Sequence, residues 1–174
     1  MNFKESICNY ILENYSIKDL PKIAEIAMME NLESESLFIL AGMSEKDNSL
    51  EILEYFQNSL NELKICLPDK RTATIILTKY YLSTIINNPN LAFKLMEKLD
   101  NEVYKKLDFE KVDKKYVGEE LKLEYLYTWY REIQDFDDNG MLLYYQDLPK
   151  QKQREKFEQN IVEEAKKTLK NNYT

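Results

Sequence analysis

Residues 48–63, which read NSLEILEYFQNSLNEL, decide the fold class. Asn48 and Glu51 stand at the spacing of a capping box, which predicts that a helix begins here. Large apolar residues then recur every three or four positions, which is the period of an amphipathic helix. We expect its buried stripe to contain Leu50, Leu53, Phe56, Leu60 and Leu63. The opposite face carries Glu51, Glu54, Asn58 and Glu62.

The same periodicity continues through most of the chain, since only three Gly and four Pro interrupt 174 residues. Asp19 and Ser34 are the expected N-caps of two further helices, and Gly42 is expected to close the second of them. The predicted helices cover residues 3–15, 19–30, 37–41, 48–63, 69–86, 90–99, 119–134 and 147–170. Residues 100–118, including Val112, are less regular. We therefore predict an all-α fold, a single-domain irregular bundle of about seven to eight helices over residues 1–174.

Acidic residues dominate the segment from Glu25 to Glu62, which holds nine carboxylates and one basic residue, Lys46. Such a surface attracts cationic partners over about 8 Å, the Debye length at physiological salt. It predicts a protein-interaction module for a basic partner, for example an immunity protein against a cationic nuclease toxin. An ordinary solvated face is the alternative. The candidate partner-binding residues are Glu30, Glu33, Glu35, Glu45, Asp47, Glu51, Glu54 and Glu62.

Catalytic and nucleic-acid functions have little support in the composition. The net charge of −7 disfavours nucleic acid, whose phosphates must be neutralised by Lys and Arg. The chain has no His, which removes the commonest general base and most catalytic zinc sites. Cys8 and Cys66 stand apart and are expected to be reduced and buried. Carboxylate pairs such as Glu120 with Glu124 leave acid chemistry open, but no residue set specifies a reaction, so we name no catalytic residue.

Membrane insertion and secretion are also unsupported by the sequence. The longest apolar run, from Leu37 to Met43, is far shorter than the roughly 20 residues of a membrane span. The N-terminus lacks a basic start followed by an apolar stretch. We therefore expect a cytoplasmic protein, and the richness in Lys, Asn, Ile and Tyr suggests a bacterial one.

A short acidic motif, Asp135 to Gly140, matches the first six positions of a calcium-binding EF-hand loop. Asp135, Asp137 and Asn139 would supply the first ligands. The twelfth position holds Gln146 where a bidentate Glu is expected, so any calcium affinity should be weak. The alternative is an acidic turn between two helices, which would also be the partner of the basic residues around Arg154.

The predicted helix over residues 119–134 is apolar nearly all round, so we place it centrally in the bundle. Together with the Asp135 loop, the aromatic residues of this region define an alternative function, a small-ligand or weak divalent-metal-binding protein, either non-catalytic or an enzyme. The aromatic residues would then form a ligand cage, while core packing is the competing interpretation. The helix contributes Tyr125, Tyr127, Trp129 and Tyr130, and the segment after the Asp135 loop contributes Tyr144 and Tyr145.

The segment from Glu33 to Gly42 reads ESESLFILAG and contains a Ser-x-Ser-Leu-x-x-Leu-Ala-Gly pattern. It follows the Leu20-Pro21 helix and precedes, much later, the Trp129 region and the final helix. This arrangement resembles an uncharacterised family of small helical bacterial proteins. The resemblance covers most of the chain and implies a helical fold, and it carries no catalytic residues over.

Overall fold

The structure, a computed structural model, describes residues 1–107 and 116–173. These residues form eight α-helices and four short 3-10 turns, and none of them lies in a β-strand. The prediction of an all-α helical bundle is therefore confirmed, while Val112 lies outside the described residues. The helices are α1 Phe3–Ile11, α2 Leu20–Met29, α3 Glu35–Ala41, α4 Ser49–Glu62, α5 Lys70–Asn87, α6 Ala92–Glu102, α7 Glu124–Asp137 and α8 Lys150–Asn172.

The chain divides into two compact units, and the boundary lies inside α5. The N-terminal unit comprises Met1–Leu77, and the C-terminal unit begins at Thr78. The prediction of one domain over residues 1–174 stays a prediction. Across the described residues, every helix is too short or too polar to cross a membrane.

Helices α1 to α4 build the core of the N-terminal unit, in which α3 packs against both α2 and α4. Tyr10 meets the ring of Phe56 edge-on, with 5.5 Å between the ring centroids. This packing buries one face of each amphipathic helix, which is the main stabilising term for such a bundle. The core residues are Phe3, Ile7, Leu20, Ile23, Ala24, Ala27, Leu37, Leu40, Ile52, Phe56 and Leu60.

The buried stripe of α4 differs from the prediction at its first position. Leu50 is 76% exposed, whereas Ile52 is completely buried together with Phe56 and Leu60. Two residues correspond to about 200° around a helix, so Leu50 and Ile52 lie on nearly opposite sides. Assigning Leu50 to the core was therefore wrong, because the three- and four-residue spacing also fits the register centred on Ile52.

Two of the three predicted N-caps are confirmed. The Ser34 hydroxyl accepts the Leu37 backbone N–H at 3.3 Å, and Asn48 Oδ1 accepts the Leu50 N–H at 2.9 Å. Asp19 does not cap α2 with its side chain. Its carboxylate instead accepts the Ser16 N–H at 2.8 Å and closes the 3-10 turn Ile17–Asp19 just before α2. The Asp19 side chain thus caps this local turn and not α2, which the sequence predicted it would cap.

Several helices end at a residue other than glycine that has a positive φ, the left-handed conformation that glycine usually supplies there. At the end of α2, Asn31 has a φ of 61°, and the Leu32 N–H donates to the Ala27 carbonyl at 3.1 Å. This is a Schellman motif, in which the residue after the left-handed one also packs against the core. Glu13, Lys64 and Asn139 occupy the equivalent positions after α1, α4 and α7.

In the C-terminal unit, α7 packs against α8 and α6. Leu126, Tyr127 and Ile133 are buried, but Tyr125 is 65% exposed, so the prediction that this helix is buried on all sides was wrong. On α8, Phe157, Ile161 and Ala165 are completely buried and face the core. The helix begins at Lys150, directly after Pro149, and not at Asp147 as predicted, and no side chain caps its start.

Candidate interaction surface

The acidic character of the protein is concentrated in one of its two units. The N-terminal unit holds 13 acidic and 7 basic residues, a net charge of −6. The C-terminal unit holds 18 acidic and 17 basic residues, a net charge of −1. Any electrostatic attraction of a cationic partner therefore arises mainly from helices α1 to α4.

Five of the eight predicted partner-binding carboxylates are exposed on the N-terminal unit and form no ion pair with a Lys or Arg of the described residues. None of these five is within 4 Å of a Lys or Arg nitrogen among the described residues. Two of them lie on α4, on the side opposite the buried Ile52 and Phe56, so the helix holds them in solvent. The five are Glu33, Glu35, Glu45, Glu51 and Glu54.

The other three predicted residues use their carboxylates to hold the fold. Glu30 accepts the Phe3 N–H at 2.6 Å, in the first turn of α1. Glu62 accepts the Ser36 N–H at 3.0 Å and its hydroxyl at 2.5 Å, in the first turn of α3. Negative charge is favourable at both places because helix N-termini carry unpaired N–H groups and the positive end of the dipole.

Asp47 has a similar local role in the turn between α3 and α4. Its carboxylate accepts the Ser44 N–H at 2.6 Å and the Ser44 hydroxyl at 3.1 Å. These hydrogen bonds hold the pKa of Asp47 below its usual value, and those from Ser36 do the same for the pKa of Glu62. Both side chains therefore stay negative while they anchor backbone. The sequence could not show this, because the Glu62 and Ser36 positions are 26 residues apart.

An apolar groove of about 510 Å³ lies between α2 and α3 and was not predicted from the sequence. Met29 is 83% exposed in it, and Phe38 is 49% exposed. The adjacent pair Met28-Met29 at the end of α2 was the available signal, since two neighbouring residues lie about 100° apart around a helix and a narrow buried stripe covers only one of them. The groove is lined by Glu25, Met28, Met29, Phe38, Ala41 and Gly42.

The predicted calcium motif has a backbone that differs from a binding loop. Asp135 and Asp137 belong to the last turn of α7, where two residues lie about 200° apart around the axis. Asp137 pairs with Arg154, and Asn139 Oδ1 accepts from Lys150 Nζ at 3.5 Å. The pairing of the acidic segment with Arg154 is thus confirmed. The described residues contain no group of three acidic or cysteine side chains able to hold a metal ion, and the weak calcium site stays a prediction.

The aromatic residues of the C-terminal unit mostly pack on one another. Trp129 stacks on Phe157 with 6.4 Å between ring centroids, and Tyr144 and Tyr145 also contact it. The buried Glu132 carboxylate accepts the N–H groups of Leu143 and Tyr144, which fixes the loop that carries these rings. The arrangement favours the core-packing interpretation for this group.

Further polar side chains stabilise the C-terminal unit through hydrogen bonds and an ion pair. Asp100 accepts the Tyr127 hydroxyl at 2.7 Å and pairs with Lys105 at 2.7 Å. Burial and the neighbouring Asp100 charge raise the pKa of Tyr127 well above its usual value. Glu120 of the predicted carboxylate pair accepts the Tyr104 hydroxyl at 3.1 Å. These contacts explain the buried charge of Asp100 by hydrogen bonding and ion pairing.

The two cysteines differ in exposure, so the prediction that both are buried was wrong for one of them. Cys8 is buried in α1, and burial raises the pKa of its thiol to about 11. It is therefore protonated and a poor nucleophile near neutral pH. Cys66 is exposed in the segment between α4 and α5.

Comparison with known protein families, curated proteins and solved structures finds no match to this chain. The resemblance to small helical bacterial proteins therefore stays a prediction.

Proposed function

We propose that this protein is a non-catalytic interaction module that binds a basic partner through the acidic surface of its N-terminal unit. The observation that carries the proposal is the uneven charge, −6 on the N-terminal unit and −1 on the C-terminal unit. The exposed carboxylates that form no ion pair within the described part of the chain include Glu51 and Glu54. An immunity protein that neutralises a cationic toxin is one example of this class.

The physical basis is electrostatic complementarity. A patch of unpaired carboxylates attracts a cationic surface before contact and raises the association rate, and salt weakens this attraction. An acidic face that serves only solubility would give a response to total charge and not to its location. The proposal is therefore tested by moving charge, with the total held constant.

The test compares two charge-reversal variants that change the net charge equally. Glu51→Lys/Glu54→Lys alters the proposed surface, whereas Glu155→Lys/Glu163→Lys alters exposed positions on α8 in the C-terminal unit. Each immobilised protein is incubated with extract of the source organism at low and at high salt. We expect a basic protein to be retained by the wild type and by the α8 variant at low salt only.

The Glu51→Lys/Glu54→Lys variant should lose that protein, provided that its circular dichroism spectrum shows it to be folded. Equal retention by both variants, or equal loss from both, would contradict the proposal. Retention that high salt does not reduce would also contradict it.

A further inference from the structure

The groove between α2 and α3 is lined by residues at the spacing that a bound helix uses for its anchors. Both walls are formed by helical residues at spacings of three and four, which are Glu25, Met28 and Met29 on one side and Phe38, Ala41 and Gly42 on the other. This spacing matches the anchor spacing of an amphipathic helix laid into a groove.

The groove exposes apolar side chains that are not packed in the core of the protein. Met29 is 83% exposed although Met28, its neighbour, is only 37% exposed, and Phe38 faces the same groove. Methionine is flexible and polarisable, so it adapts to varied apolar side chains and is frequent on helix-binding surfaces. A partner that covered Met29 and Phe38 would bury surface that now costs free energy in water.

Charge around the groove identifies the chemistry of the occupant. Glu25 lines the groove, and Glu35 lies one turn before Phe38 on the same side of α3. Met28 and Met29 belong to the last turn of α2, and Phe38 and Ala41 to the last turn of α3, where backbone carbonyls form the negative end of the helix dipole. A cationic side chain at the rim is favoured by each of these features.

We propose that this groove binds a cationic amphipathic helix of a partner protein. Its apolar residues would occupy the space over Met29 and Phe38, and its Lys or Arg residues would meet Glu25 and Glu35. The inference rests on the proposed function and makes it specific, since it adds an apolar anchor and a helical form to the basic partner. A second copy of this chain fits less well, because it would bring another unit with a charge of −6 to the same rim.

The test uses a fluorescent synthetic peptide of about 18 residues, five helical turns, with Leu at helical anchor spacing and Lys elsewhere. A second peptide carries Glu in place of Lys. Binding to the full chain is measured by fluorescence anisotropy. Met29→Ser and Phe38→Ser remove the proposed anchors at exposed positions. Met141→Ser is the matched control, since Met141 is 81% exposed but lies in the C-terminal unit.

We expect the Lys peptide to bind the wild type, and each groove variant to weaken it by about tenfold, as for a central anchor. Met141→Ser should change the affinity by less than about twofold, and the Glu peptide should bind far more weakly. No binding of the Lys peptide, or equal effects of Met29→Ser and Met141→Ser, would overturn the inference. Sedimentation that shows a wild-type dimer dissociated by Met29→Ser would overturn it in favour of a second copy.

The proposed function fails separately from this inference. If Glu51→Lys/Glu54→Lys abolishes partner capture while Met29→Ser and Phe38→Ser leave it intact, the acidic surface binds the partner and the groove does not. If no variant of either surface affects capture, both proposals are wrong.

Discussion

Lys64 ends α4 in a backbone conformation that its side chain does not favour. Its φ is 56°, and the Ile65 N–H donates to the Leu60 carbonyl at 2.9 Å in a Schellman motif. The left-handed conformation costs a residue with a Cβ about 1–2 kcal/mol. Ile65 packs against the core, which holds the turn in place despite that cost.

Lys64→Gly is therefore expected to stabilise the protein. Glycine adopts the positive φ freely but loses more backbone entropy on folding, so the net gain should be about 0.5–1 kcal/mol. Urea unfolding measures the difference. Lys64→Ala is the matched control, because it removes the charge and the long side chain but keeps Cβ, and it should give little gain. Equal stabilisation by both substitutions would show that the backbone conformation is not the cause.

Side-chain roles could be predicted from the sequence where the hydrogen-bond partner lies within a few residues in the chain. Ser34 and Asn48 could be assigned as caps because the N–H groups they accept are two or three residues away. The role of Glu30 could not be predicted, since its partner Phe3 is 27 residues distant. Glu30 therefore looked like any other surface acid in the sequence, although it caps a helix in the fold.

At the scale of the elements, Glu62 connects the end of α4 to the start of α3. Its carboxylate accepts both the N–H and the hydroxyl of Ser36, which is itself buried. Because both hydrogen bonds favour the ionised form, the pKa of Glu62 is lower in the folded protein than in the unfolded chain. The ionised carboxylate thus stabilises the packing of α3 on α4.

Glu62→Gln should lower the melting temperature at neutral pH, while Glu54→Gln, at an exposed position on the same helix, should not. The folded pKa of Glu62 is depressed, so its stabilising contribution is present above the unfolded value of about 4.5. It is lost as the pH falls through the folded pKa. The melting difference between wild type and Glu62→Gln should accordingly shrink as the pH falls below about 4.5, and a difference that grows on acidification would contradict the assignment.

The groove between α2 and α3 shows why elements could be predicted more fully than the surfaces between them. The period of apolar residues identified both helices, because burial of one face imposes that period. Which apolar residues remain exposed depends on how two helices cross, and sequence spacing does not specify the crossing. Met29 and Phe38 therefore became recognisable as one surface only in the fold.

At the scale of the whole molecule, the sequence predicted the all-α fold class but not the division of the chain into two compact units. A sequence reveals such a division mainly through linkers rich in Gly, Pro or polar residues. Here the boundary between Leu77 and Thr78 lies inside α5, an uninterrupted helix of 18 residues. The net charge of −7 follows from the composition alone. That −6 of it belongs to one compact unit, Met1–Leu77, could be stated only after the structure defined that unit.

The unequal charge predicts that salt stabilises the two units unequally. Like charges in the N-terminal unit repel one another and oppose its compact state, whereas the C-terminal unit is nearly neutral. Raising NaCl from about 0.02 M to 0.2 M shortens the Debye length roughly threefold and screens this repulsion. Amide hydrogen exchange should therefore slow more in α3 and α4 than in α7 and α8.

The charge-reversal variant Glu51→Lys/Glu54→Lys provides the control for this last prediction. The two substitutions add four positive charge units, which changes the N-terminal unit from −6 to −2. Its self-repulsion should fall, so the effect of salt on exchange in α3 and α4 should become similar to that in α7 and α8. An unchanged salt response in the variant would mean that the surplus carboxylates do not act as one field, and this would also weaken the electrostatic basis of the proposed function.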